Sequence, residues 1–68
     1  MNFPSGPYLE VLEYLRQHPE GCTATQIGEA FPHLDAHTRR GITCRLRVYG
    51  YVTRIYGKNN AIIWVAIK

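Results

Sequence analysis

Four arginines stand within nine residues, Arg39, Arg40, Arg45 and Arg47, and they are half of the eight Lys and Arg in the chain. No acidic residue follows Asp35. A guanidinium is planar, always charged and rich in donors, so it can hold a phosphate or grip a guanine edge bidentately. At about 100° per residue, a helix over residues 35–49 puts Ile42, Leu46 and Tyr49 on one narrow face with Thr38 beside them. Arg40, Cys44 and Arg47 fall opposite, flanked by Ala36, His37 and Thr43, with Arg39 and Arg45 on the shoulders. Small residues between the arginines (Ala36, Gly41, Thr43, Cys44) let the backbone approach a surface closely. A helix lying in a DNA major groove needs both features. The competing reading is a solvated basic face on an ordinary core helix, with Arg45 paired to Glu10 or Glu13.

Other chemistry is poorly supplied. His33 and His37 have i,i+4 spacing, but His33 follows Pro32 and precedes a helix cap. No paired Cys and His spacing of the structural zinc kind occurs, so neither a metal nor a cofactor is expected. There is no carboxylate pair in a plausible pocket, no Gly-rich phosphate loop and no nucleophile with an evident base, so no enzyme activity is expected. A small-molecule ligand is not expected either, because a chain this short leaves little room for a cavity once its core is filled.

The totals agree with a small binding domain. Sixty-eight residues with 46% hydrophobic and 19% charged composition make one globular domain, 1–68, too apolar to be disordered. The net charge of +3 has the sign that suits an anionic partner. The opening MNFPSGPYLEVLEYL has neither a basic start nor an apolar run, and the longest apolar stretch, Ala61 to Ile67, is only strand length. A cytoplasmic location is expected, with Cys22 and Cys44 reduced and no membrane partner.

The elements that must position the arginines can be read in order. Residues 1–6 are expected to form a flexible arm. Ser5 is the candidate N-cap and Pro7 the first-turn residue of a helix running to about Gln17, with Tyr8, Val11, Leu12 and Leu15 as its core stripe. Tyr14 lies off the stripe, as surface or as part of a dimer contact. His18-Pro-Glu-Gly21 stops that helix. Thr23-Ala-Thr-Gln26 fits a capping box for a short second helix with Ala24, Ile27, Ala30 and Phe31 as its apolar positions, ended by Pro32. Asp35 caps the third helix, with Leu34 plugging the core in the turn. After Gly50 the period changes. Residues 51–56 and 61–67 read as two strands joined by the turn Gly57-Lys-Asn-Asn60, with Trp64 covering the core. The expected class is α+β, three helices followed by one hairpin.

This order resembles the winged helix-turn-helix family of small stand-alone regulators. The residues that carry the resemblance are PYLEVLEYLRQHPEG, TATQIGEAF and LDAHTRRGITCRLRVYGYVTRI, and the most specific part is the ending Leu46-x-x-x-Gly50-Tyr51-Val52. The match spans about Tyr8 to Ile67. The turn holding Pro32 is longer than in the tightest helix-turn-helix units, and Arg39 stands where many members carry an apolar residue. A branch of the fold resembling readers of left-handed DNA shares the late tryptophan, but its helix signature is replaced here by Arg40 and Cys44.

The resemblance implies a helix-turn-helix core with a two-stranded wing. It implies sequence-specific binding of double-stranded DNA, with helix 35–49 in the major groove and hairpin 51–67 as the wing, in a transcriptional regulator acting as a homodimer or with a partner protein. Carried onto this chain, His37, Arg40, Thr43, Cys44 and Arg47 become groove-facing residues, and Arg39 and Arg45 phosphate contacts. Arg54 and Lys58 become wing contacts, and Thr23 can offer a hydroxyl or N–H to a phosphate. No sensor domain is expected. The alternative is a winged-helix module that binds protein and not DNA. It is favoured if Arg40 and Arg47 pair with Glu10, Glu13 or Glu29.

Overall fold

A computed structural model describes residues 3–68. The elements are α1 (Pro7–Arg16), β1 (Cys22–Thr23), α2 (Ala24–Ala30), α3 (Ala36–Val48), β2 (Val52–Tyr56), a 3-10 turn (Lys58–Asn60) and β3 (Ile62–Ala66). Three helices thus pack with a three-stranded antiparallel sheet of order β1-β3-β2. The third strand is the departure from the expected hairpin. Cys22 pairs with Trp64 and Thr23 with Ile63, so the segment entering α2 adds to the outer side of β3. A two-residue strand shows no alternation of its own, and only the register against β3 reveals it.

The helix stripes meet in one core. Val11, Leu12 and Leu15 of α1 are buried with Cys22, Ile27, Phe31, Ile42, Leu46, Val52 and Trp64. The short α2 buries only Ile27, while Ala24 and Ala30, expected on its apolar face, are exposed. Pro7 opens α1 as expected, but the N-cap is Gly6 and not Ser5. Gly6 has φ 57°, and its carbonyl accepts the Glu10 N–H at 3.1 Å, while the Ser5 carbonyl, not its hydroxyl, accepts from Tyr8 at 3.2 Å.

Met1 and Asn2, part of the expected flexible arm, lie outside the described residues. Phe3 is half-buried, with its ring 5.1 Å from that of Tyr8, 4.8 Å from Tyr49 and 6.0 Å from Tyr51. Tyr49, expected on the core face, follows the last residue of α3 and is 59% exposed, meeting Phe3 at the rim instead. Tyr14 leans on Phe31, 5.6 Å between rings, and is half-buried within its own chain.

The hairpin is set by its turn. Asn59 and Asn60 take φ of 61° and 60°, a conformation Asn tolerates better than most residues. The β2–β3 register places Arg54 opposite Trp64 and Tyr56 opposite Ile62. Directly paired residues share a face, so Arg54, Trp64 and Ile62 all lie on the α3 side of the sheet. The other face carries Thr53, Ile55, Ile63 and Val65 and no charge. Among the described residues no helix is long and apolar enough to cross a membrane.

Candidate nucleic-acid interface

Helix α3 is fixed at both ends and along one side. Asp35 Oδ1 accepts the Thr38 N–H at 2.7 Å, satisfying a donor that the first turn would otherwise leave free. That hydrogen bond holds the Asp35 carboxyl below its ordinary value, helped by the nearby positive charges of His37 and Arg39. At the other end the Tyr49 N–H meets the Arg45 carbonyl, and Gly50 turns the chain into β2 with φ 82°. Ile42 and Leu46 anchor the helix in the core at 2% and 0% exposure. Opposite them, His37, Arg40, Cys44 and Arg47 are exposed, as is Arg45 on the shoulder.

Three proposed contact residues are placed differently. Thr43 is only 4% exposed, and its hydroxyl is shared between the carbonyls of Arg39 (3.2 Å) and Arg40 (3.1 Å). Its donor is spent inside the helix. Arg39 is half-buried; its guanidinium donates to the Leu34 carbonyl and lies against Gly28 of α2. It binds the helices to each other where a phosphate contact was expected. Thr23 completes the capping box, its Oγ1 accepting from Gln26 N at 3.2 Å and its N–H donating to Gln26 Oε1 at 2.8 Å. Its side-chain acceptor and its N–H are therefore both engaged within the fold.

Of the two wing residues, Arg54 lies beside α3. Arg54 is half-buried, with its guanidinium carbon 5.9 Å from the centre of the Trp64 ring, a cation–π separation. Lys58 is exposed at the tip of the hairpin. Between α3 and the hairpin runs a groove of about 410 Å³. Its lining combines Arg39, Arg40 and Arg54 with the apolar Ile27, Ile62 and Trp64. Most of the polar members are among the expected contact residues, whereas the apolar floor is not legible in the sequence. That floor comes from α2, α3 and β3, and no local pattern joins them.

The charge arrangement is one-sided. Among the described residues the only ion pair joins Arg16 to Glu13 at 2.6 Å on α1. Glu13 is therefore taken, and Arg40, Arg45, Arg47, Arg54 and Lys58 face no carboxylate partner within ion-pair distance. Like charges so gathered raise the local potential and favour an anionic partner. Both cysteines are free thiols, Cys22 buried and Cys44 exposed, and burial pushes the Cys22 thiol above its ordinary value, keeping it protonated. Among the described residues no three His, Cys, Asp or Glu side chains gather where they could hold a metal ion. No protein-family model matches this chain, and no curated protein matches it.

Proposed function

We propose that the chain is a winged helix-turn-helix protein that binds double-stranded DNA, with α3 in the major groove and the β2–β3 hairpin as the wing. The observation that carries this reading is the exposed row Arg40, Cys44 and Arg47 on α3, flanked by Arg45 and by Arg54 and Lys58 of the hairpin, with no carboxylate bound to any of the cations. Arg40 and Arg47 read base edges or phosphates; Arg45, Arg54 and Lys58 neutralise backbone charge. His37 and Cys44 lie beside them on the open face. Arg39, Thr43 and Thr23 support the site from within. The same absence of pairs to Glu10, Glu13 and Glu29 weighs against a module that binds only protein.

Such a protein acts by occupancy, as a regulator that blocks or recruits at its site. One copy offers few base contacts, so useful specificity needs two half-sites and a second copy or a partner protein.

The test is an NMR titration of the isotopically labelled chain with a mixed-sequence duplex at low and moderate salt. Shifts confined to residues 36–47 and 54–59 that weaken steeply with salt are expected. No shifts at low salt would overturn the reading and favour a protein partner.

A further inference from the structure

We propose that the groove between α3 and the hairpin is a binding site for a small carboxylate with an apolar, ring-sized body, the carboxylate held between Arg40 and Arg54. The volume, about 410 Å³, lies within the range of roughly 300–1,000 Å³ that small-molecule sites occupy. The apolar floor it offers is Ile62, 38% exposed, with the exposed Ala24 and Ala36, and the buried Ile27 and Trp64 complete the lining. Three arginines line it, Arg39, Arg40 and Arg54, none with a carboxylate partner, and no acidic residue lines it. An anion is therefore the complement of the rim, and an apolar body is the complement of the floor.

The two requirements together select the ligand class. A free inorganic anion satisfies the arginines and leaves Ile62, Ala24 and Ala36 wet. A neutral hydrocarbon fills the floor and leaves the guanidinium groups facing apolar surface, with their own repulsion unrelieved. The duplex backbone is phosphate and sugar, so it gains nothing from the floor. A carboxylate on a ring answers both, because a carboxylate accepts two parallel N–H bonds from one arginine while the ring displaces water from the floor. Arg39 adds positive charge at the edge, although its guanidinium is already engaged with the Leu34 carbonyl. Arg40 and Arg54 also belong to the proposed DNA surface, so an occupied groove competes with DNA. The groove itself does not depend on DNA binding.

The probe is 3-phenylpropanoate, with 3-phenylpropan-1-ol as its neutral counterpart and acetate as its truncated one. Each is titrated into the isotopically labelled full chain by NMR, with the indole N–H of Trp64, the only tryptophan, as a reporter inside the groove. We expect saturable shifts on Ala24, Ile27, Arg40, Cys44, Ile62 and the Trp64 indole, with a Kd on the order of 1 mM or tighter, as suits so small a ligand. The alcohol and acetate should each bind about tenfold more weakly or not at all, the loss of one charge-assisted contact or of the ring. Arg40→Gln and Arg54→Gln should each weaken the carboxylate about tenfold, and Lys58→Gln, outside the groove, should not. Arg40 is on an exposed helix face, so that variant keeps the test sound if Arg54→Gln disturbs the hairpin. Absence of saturable shifts, equal binding of the alcohol or acetate, or an equal loss in Lys58→Gln would each overturn the proposal. Probe binding without DNA binding would overturn only the DNA reading.

Discussion

The guanidinium of Arg39 packs tightly against the position that a side chain on Gly28 would take. A Cβ built on Gly28 would stand 3.1 Å from Nη2, 3.2 Å from Cζ and 3.4 Å from Nε of Arg39. The same guanidinium donates to the Leu34 carbonyl in the turn between α2 and α3. One side chain therefore joins α2, the turn and α3, and the glycine at residue 28 leaves room for the close fit.

A double-mutant cycle measures the fit. Gly28→Ala should gain up to about 1 kcal/mol of helix propensity, less whatever it costs to displace Arg39. In an Arg39→Ala background the displacement term vanishes and the full gain should appear. We expect a coupling of about 0.5 kcal/mol or more between the two substitutions, read from urea unfolding of the four proteins. A coupling of zero would mean that the guanidinium moves aside freely.

Gly21 is under a stricter constraint. It has φ 91°, and a Cβ there would run into Ile63 Cγ2 and stand 2.8 Å from Val65 Cγ2. Gly21→Ala combines a backbone conformation unfavourable to L residues with a clash against β3. Roughly 2 kcal/mol or more of destabilisation is expected, with amide protection lost first across the Cys22–Trp64 and Thr23–Ile63 pairs.

These two glycines mark the boundary of what the sequence discloses. The caps at Thr23 and Asp35, the stripes Val11-Leu12-Leu15 and Ile42-Leu46, and the Asn59-Asn60 turn are local signals, and each is where its pattern puts it. Gly6 replaces Ser5 as a cap because a positive φ just before Pro7 suits glycine. Strand β1 was hidden because two residues carry no period. Thr43 looked exposed on an ideal wheel, yet it is buried between the core face and the groove. The wheel gives an angle around one helix and no information on which neighbours cover that angle. Arg39 is the same problem in charged form: composition marks a cation, and only the approach of Gly28 and Leu34 shows that it is engaged inside the fold.

Asp35 makes the start of α3 sensitive to acid. Its folded carboxyl titrates below its ordinary value of 3.8, mainly because the Thr38 N–H bonds to the ionised form. The unfolded chain takes up this proton first, so the stabilisation is complete above the unfolded pKa and is lost as pH falls through the lower folded value. Asp35→Asn keeps an acceptor oxygen without the titration. Its unfolding midpoint in urea should vary less than that of the parent as pH falls below about 4. Equal slopes for the two proteins would remove Asp35 from the acid response.

The arginines of α3 should separate into two groups by salt dependence. Each phosphate neutralised contributes about −0.9 to the slope of log affinity against log salt. Arg40→Ala, Arg47→Ala and Arg45→Ala remove exposed cations that face no carboxylate, so any of them that meets a phosphate should reduce the slope by about one unit while leaving the urea midpoint nearly unchanged. A residue that instead grips a guanine edge should lose discrimination between duplexes, by about 1–3 kcal/mol at one base pair. Arg39→Ala should do neither as its main effect. It should lower stability, because its guanidinium is engaged by the Leu34 carbonyl and packed on Gly28. Arg16→Gln, whose side chain already binds Glu13 and the Lys68 carbonyl on the α1 side, should leave the DNA slope unchanged. Fluorescence anisotropy with one labelled duplex at several salt concentrations distinguishes the groups. An equal loss of slope in all five variants would mean that total charge, and not the placement of Arg40, Arg45 and Arg47 on one open helix face, governs the interaction.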